Sequence, residues 1–261
     1  MADHVRTIGV GVIGTGFIGK AHSIAYSAVS SVFGTGLRPT LEIVCDLSPE
    51  RAADRAADLG FDRYTDQWQQ LIDDSDVELI SICAPNALHR DISIAALEAG
   101  KHVWCEKPMA MSLTDAEDMV TAARSSSRKT IVGYNYIKNP AVTHAQRLIS
   151  DGMIGRITGF HGRYDVDNEA DENQPYSWRL SRDRSGTGAI ADILSHLLSV
   201  AHFITNSEVR NVVADVDVVH RQRPDPTNPS VSREVDNDDT VAALIHRSEE
   251  RRVGKECRSR W

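Results

Sequence analysis

The sequence predicts an α/β chain, with a parallel, doubly wound sheet over residues 1–137 and an α+β domain over residues 138–246. Three observations carry this. Short apolar runs alternate with amphipathic ones, the pattern of parallel strands joined by crossover helices. A glycine-rich turn stands where the first apolar run hands over to the first helical pattern. Past residue 150 the strand-like runs are no longer regularly paired with helices.

In chain order, Thr7–Ile13 reads as a first strand ending in Gly14. Phe17, Ile18, Ala21, Ile24, Ala25 and Ala28 then recur at helical spacing. Residues 34–39 read as a turn and Leu41–Cys45 as the second strand, closed by Asp46. Ser48 and Pro49 have the chemistry of an N-cap and a first helical residue. Val77–Cys83 is a buried strand, and Leu88–Ala99 a helix stopped by Gly100. His102–Cys105 is a strand that runs into Glu106-Lys107-Pro108. Thr114 and Glu117 fit a capping box before the next helix. Thr130–Val132 is a short strand and Pro140–Ser150 a helix. In the second part, residues 157–166 read as extended, 167–185 as a polar loop and 189–204 as an apolar helix, with strand-like runs at 209–219 and 240–245.

Composition excludes several classes. An apolar fraction of 41% supports a real core. A net charge of −8 argues against nucleic acid as a partner. No apolar run in the sequence approaches the roughly 20 residues that cross a bilayer, and the N-terminus lacks a secretory pattern, so no membrane partner is expected and the cytoplasm is. The cysteines show no metal spacing and read as small buried hydrophobes, so no metal is expected.

Gly14-x-Gly16-x-x-Gly19 sits at a strand-to-helix junction, the context a dinucleotide turn needs. The first glycine permits the turn, the second lets backbone approach a pyrophosphate, and the third lets helix and strand pack closely. The helix N-terminus, with Phe17 and Ile18 in its first turn, would face the diphosphate. Asp46 ends the second strand, where its carboxylate would bond adenosine ribose hydroxyls and repel a 2′-phosphate. NAD is therefore preferred over NADP, although Arg51 stands nearby. Lys107 follows a strand of the parallel sheet, where ligands bind in such folds. Asp192 and His196 stand four apart in a helical run and share a face, so the aspartate could orient a general-base imidazole.

Taken together with Ala84-Pro85-Asn86-x-x-His89, Ala99-Gly100-Lys101-His102-Val103, Gly152-x-Ile154-Gly155 and Gly186-x-Gly188-Ala-Ile-x-Asp192-x-x-x-His196, the chain resembles the Gfo/Idh/MocA oxidoreductases from residue 5 to about 246. The resemblance implies a Rossmann domain and a second domain with a large, mostly antiparallel sheet, often used to pack a homo-oligomer. It implies that Lys107, Asp192 and His196 are catalytic, and that hydride passes from a secondary hydroxyl of a sugar or cyclic polyol to NAD. Pro85, Asn86, His89 and Glu106 join the cofactor set, with His89 reading equally as a capping or packing residue. Asn135, Tyr136 and Trp178 are expected to meet the substrate, with core packing an equal reading for Trp178. Two other functions stay open: an NAD-dependent glycosidase using transient oxidation, and a non-catalytic dinucleotide-binding sensor.

Residues 247–261 differ from the rest, with six basic and three acidic residues and Val253 as the only aliphatic. The run is similar to a conceptual translation of a common short-read sequencing adapter. The expectation is an artefactual tail that packs against nothing, a natural protein continuing differently after His246, an incomplete second domain, and a last strand lacking neighbours for its apolar side chains.

Overall fold

A computed structural model of the protein describes residues 5–34, 36–167 and 169–247. The first part of the chain runs β1 (Arg6–Ile13), α1 (Phe17–Phe33), β2 (Leu37–Cys45), α2 (Pro49–Leu59), β3 (Arg63–Thr65), α3 (Trp68–Asp73) and β4 (Leu79–Ile82). It continues with α4 (His89–Glu98), β5 (His102–Cys105), α5 (Leu113–Ser125) and β6 (Thr130–Val132). The six strands form one parallel sheet in the order β3-β2-β1-β4-β5-β6. The order reverses between β1 and β4, which is where ligands bind in open α/β sheets.

Both faces of the sheet are buried, as parallel sheets require. Val10, Val12 and Val44 pack with Tyr26 of α1 and Ala56 of α2 on one face. Ile13, Ile80, Ile82 and Val103 pack with Ile92 and Leu97 of α4 and Met119 of α5 on the other. Each such side chain contributes about 1.5–3 kcal/mol on burial. Caps set the helix starts: Ser48 accepts from the Arg51 amide at the head of α2, with Pro49 behind it. At α5 the cap is Ser112, which accepts from the Asp115 amide, so this helix starts one residue before the expected box at Thr114.

The sheet's carboxyl edge is level. Ile13 pairs with Cys45 and with Ile82, Ile82 with Cys105, and Cys105 with Val132. The next residues, Asp46, Gly14, Cys83, Glu106 and Gly133, therefore form one row, each amide donating to a carbonyl of the neighbouring strand.

Three departures from expectation concern short or non-local elements. β3 and α3 carry too little apolar pattern to be read in advance. The turn after α1 is tighter than residues 34–39, because β2 starts at Leu37 and includes Pro39 opposite Ile8. Residues 157–166 join no sheet among the described residues.

The chain divides into two compact units. One holds the residues up to Gly133 together with Ser181–Gly186, which includes α7 (Arg182–Ser185); the other holds Tyr134–Leu180 and the residues from Thr187 onward. In the second unit α6 (Pro140–Ser150) packs on α8 (Ser195–Thr205), which is preceded by a π turn at Ile190–Leu194. β7 (Val209–Asp217) and β10 (Thr240–Arg247) pair antiparallel, as do β8 (Gln222–Pro224) and β9 (Ser232–Glu234). On the β7–β10 ribbon Val212, Val213, Val216 and Leu244 are exposed, Leu244 to 79%. Arg247 belongs to β10 rather than to the tail, lying opposite Val209 with its Nε donating to Ser207 Oγ at 2.7 Å. The remainder of the expected tail, 248–261, lies outside the described residues.

By length and composition the run Arg182–Thr205 could cross a membrane, which the sequence reading did not anticipate. Gly186, at φ 82°, interrupts it, and the continuous helical stretch within it is residues 189–205.

Candidate active site

Gly14 adopts φ 90°, and a Cβ there would lie 2.5 Å from Cys83 O, so only glycine fits the turn. At Gly19 a Cβ would lie 1.9 Å from Gly14 O, which is the close packing of α1 on β1 that the third glycine permits. Gly16 is different: a Cβ there would meet nothing within 4 Å. It is the N-cap of α1, makes no side-chain cap bond, and is followed by no acidic residue in the first turn. An uncapped helix N-terminus of this length beside open space suits a diphosphate. Phe17 is exposed and Ile18 half-buried at the same end.

Asp46 is buried and fully engaged. Oδ2 accepts from the Thr15 amide at 3.0 Å and from the Thr15 hydroxyl. Oδ1 accepts from the Leu47 amide at 2.7 Å and pairs with Arg51 Nε at 2.9 Å. Burial works to raise its pKa, but the Thr15 hydroxyl, the Leu47 amide, the Arg51 guanidinium and the Thr15 amide together hold it below its ordinary value. The group is thus an anion with about four acceptor positions already in use. The Arg51 side chain is half-exposed, so its bond is the one a ribose hydroxyl can displace.

Beyond β4, Asn86 is buried and donates from Nδ2 to Ser185 O at 2.9 Å. Pro85 precedes it in extended geometry. His89 is 1% exposed, with Nδ1 2.9 Å from Pro108 O and Nε2 2.9 Å from Ala84 O. Burial lowers its pKa, against the raising effect of the two carbonyls and Glu106. Glu106 is buried, its Oε1 2.9 Å from His22 Nε2. Lys107 follows, half-buried, and a cis peptide joins it to Pro108. The thiols of this unit stay protonated: burial pushes Cys45 and Cys105 up to about 12 and Cys83 well above its ordinary value. Among the described residues no group of three or more His, Cys, Asp or Glu could hold a metal ion.

In the second unit Asp192 lies in the π turn and His196 in the first turn of α8. The His196 ring is buried, 4.4 Å from the Tyr136 ring and edge-on to Tyr134 at 5.9 Å. The Tyr136 hydroxyl bonds that of Tyr164. This bond, burial, and the nearby Tyr164 and Asp192 push the Tyr136 phenol up to about 12. Asn135 is exposed in the turn ahead of α6. Trp178 is half-buried, with the Arg179 guanidinium 4.8 Å from its ring centroid.

The first unit thus gathers Gly14, Gly16, Gly19, Asp46, Pro85, Asn86, Glu106 and Lys107 along one sheet edge, and the second gathers Tyr136 with His196. Sequence reasoning missed Thr15, His22, Tyr134, Tyr164 and Asp238. Only Thr15, inside the glycine motif, carried a local signal.

Two family models match the chain. A family model described as oxidoreductase family, NAD-binding Rossmann fold, matches residues 8–134. A second, the GFO/IDH/MocA C-terminal domain, matches residues 142–255, reaching into the run that composition set apart. A levoglucosan dehydrogenase from Pseudarthrobacter phenanthrenivorans is 40% identical over 201 residues, covering 77% of this chain and 52% of the relative. A 1,5-anhydro-D-fructose reductase from Ensifer adhaerens is 37% identical over 174 residues, 64% of this chain and 49% of the relative. The chain thus spans about half the length of these curated relatives. A levoglucosan dehydrogenase structure in complex with NADH superposes with a TM-score of 0.88 at 38% identity, covering 92% of this chain and 63% of that one.

Proposed function

The chain belongs to the Gfo/Idh/MocA oxidoreductase family, and from that premise we propose that it oxidises a secondary hydroxyl of a sugar or cyclic polyol with NAD, an anhydrosugar being the first candidate. The observation that carries the reading is the level row at the sheet's carboxyl edge. It sets an open Gly16 turn, an ionised Asp46 and the Glu106-Lys107 strand end side by side. The names of the two relatives support the substrate class.

When bound, NAD supplies a hydride acceptor at nicotinamide C4. The α1 amides would hold the diphosphate and Asp46 the adenosine ribose, which would disfavour a 2′-phosphate. His196 takes the hydroxyl proton, Asp192 orients the imidazole, and Lys107 donates to the same oxygen and favours its charged form. These three roles rest on the motif match. Tyr136 keeps its proton at any ordinary pH, and with its hydroxyl paired to that of Tyr164 it can accept from a sugar hydroxyl. Asn135 and Trp178 belong to the same substrate set.

Incubation of the chain with NAD and a panel of anhydrosugars, inositols and aldoses tests this by the absorbance of reduced nicotinamide. NADH accumulating with one class is expected. Substrate consumed without NADH would instead favour transient oxidation with no net redox change. Tight NAD binding with no member of the panel consumed would favour a sensor.

A further inference from the structure

The two neighbours of Lys107, the buried Glu106 and the half-buried Pro108, are each met by a different histidine. On the N-terminal side, Glu106 Oε1 lies 2.9 Å from His22 Nε2 of α1, while Oε2 accepts from the Lys107 amide at 3.3 Å. Gly133 makes room for this carboxylate, since a Cβ there would stand 2.2 Å from Oε1. His22 is fixed in turn. Its Nδ1 lies 2.7 Å from Ser81 Oγ, which is 3.0 Å from Tyr26 OH, and its ring lies 4.7 Å from Trp104. A neutral ring satisfies this chain throughout: Tyr26 donates to Ser81, Ser81 to Nδ1, and Nε2–H to Glu106. On the C-terminal side, the His89 ring of α4 lies between two carbonyls, with Nδ1 2.9 Å from Pro108 O at the end of β5 and Nε2 2.9 Å from Ala84 O at the end of β4; the single N–H of the neutral ring donates to one of them. The α1 and α4 helices pack on opposite faces of the sheet.

We propose that His22 and His89 are positioning residues that fix the backbone presenting Lys107, one from each face of the sheet. The proposal rests on the reading of Lys107 as the lysine that meets substrate. Burial alone would make both histidines ordinary core residues. Their convergence on the residues immediately before and after Lys107, through a carboxylate on one side and a carbonyl on the other, distinguishes them. Neither imidazole needs to touch substrate; each restricts where the Lys107 ammonium can be placed, and a small misplacement of such a group lowers turnover steeply.

The test uses the full chain, dimethylated on lysine with 13C-formaldehyde, with the Lys107 resonance assigned by its loss in Lys107→Arg. In His22→Leu and in His89→Leu this resonance should shift or broaden while the other lysine signals hold. His22→Gln, which keeps an N–H donor for Glu106, should restore it. Gly133→Ala displaces the Glu106 carboxylate without altering either histidine, and should reproduce the shift if a leucine variant does not fold. In turnover, kcat should fall about 10-fold with the KM for NAD nearly unchanged. Adding His22→Leu to Lys107→Met should cost nothing further. A Lys107 resonance unmoved in the leucine variants and in Gly133→Ala overturns the proposal. Unchanged turnover in Lys107→Met overturns the assigned role of Lys107 and leaves the resonance result standing.

Discussion

Asp238 and Gly188 are fitted to one another. The Asp238 carboxylate accepts from the Gly188 amide at 2.9 Å and from the Ile190 amide at 2.8 Å. A Cβ at Gly188 would lie 1.8 Å from Asp238 O, which itself accepts from the Ala189 amide at 2.9 Å. The helical segment that carries Asp192 and His196 is thus anchored at its start by a residue 50 positions away. Asp238→Ala should cost about 1–2 kcal/mol of stability, the usual worth of a helix cap. Gly188→Ala should cost more, because backbone must move. Thermal melts of the two variants check the order; equal and negligible losses would refute the anchor.

Gly16 and Gly19 of the first turn should separate by assay. Gly19→Ala forces α1 off β1 and should lose about 1–3 kcal/mol, the range for overpacking. Gly16→Ala meets nothing and should melt like the parent while binding NADH at least 10-fold more weakly, about 1.4 kcal/mol. Fluorescence titration of NADH beside a melting curve distinguishes them. A Gly16→Ala chain that binds normally would mean that the diphosphate lies elsewhere.

Asp46→Asn should relax the preference for NAD over NADP, and Arg51→Ala should weaken NADP more than NAD. The same group makes a pH prediction. Its folded pKa is lowered, so its contribution to stability is present above the unfolded value and is lost as pH falls through the folded one. The acid limb of the parent's stability curve, below the ordinary aspartate range, should therefore flatten in Asp46→Asn. Parallel acid limbs for the two proteins would contradict this.

Tyr164→Phe removes the partner hydroxyl of Tyr136. The Tyr136 phenol should then titrate at a lower pH, because the hydrogen bond that most favours its protonated form is gone. Spectrophotometric titration of tyrosinate reads this directly, and an unchanged curve would mean that the pair does not form in solution.

The exposed apolar residues of β7 and β10 should bind a hydrophobic dye and promote self-association. Leu244→Lys, at the most exposed of them, should reduce both, as seen by dye fluorescence and light scattering. No change in either would show that the face is covered in solution.

What could be read from sequence was what is local. Gly14, Gly16 and Gly19 announce their turn within six positions, and Ser48-Pro49 announces a helix start. Asp46 could be placed because a strand end is a local event. Its engagement by Arg51 and Thr15 could not, since a carboxylate's bonds depend on which backbone amides face it. The three residues of β3 and the six of α3 are too short to show a period. His22 looked like one more residue of an amphipathic helix; its partners Ser81 and Glu106 stand 59 and 84 positions away. Asp238 was hidden in a run of acidic residues for the same reason. Residues 157–166, read as extended, join no sheet among the described residues, because pairing needs a partner strand, which no local pattern supplies.

The return of Ser181–Gly186 to the first unit bears on how this chain can be taken apart. A gene cut after Gly133 would encode all six parallel strands and look like a self-sufficient nucleotide-binding module. It would nevertheless leave the buried Asn86 amide without Ser185 O, and would uncover the side of Met111 that Gly186 lies against. Any shuffling of this module onto a different substrate domain must carry those six residues along or supply another carbonyl for Asn86.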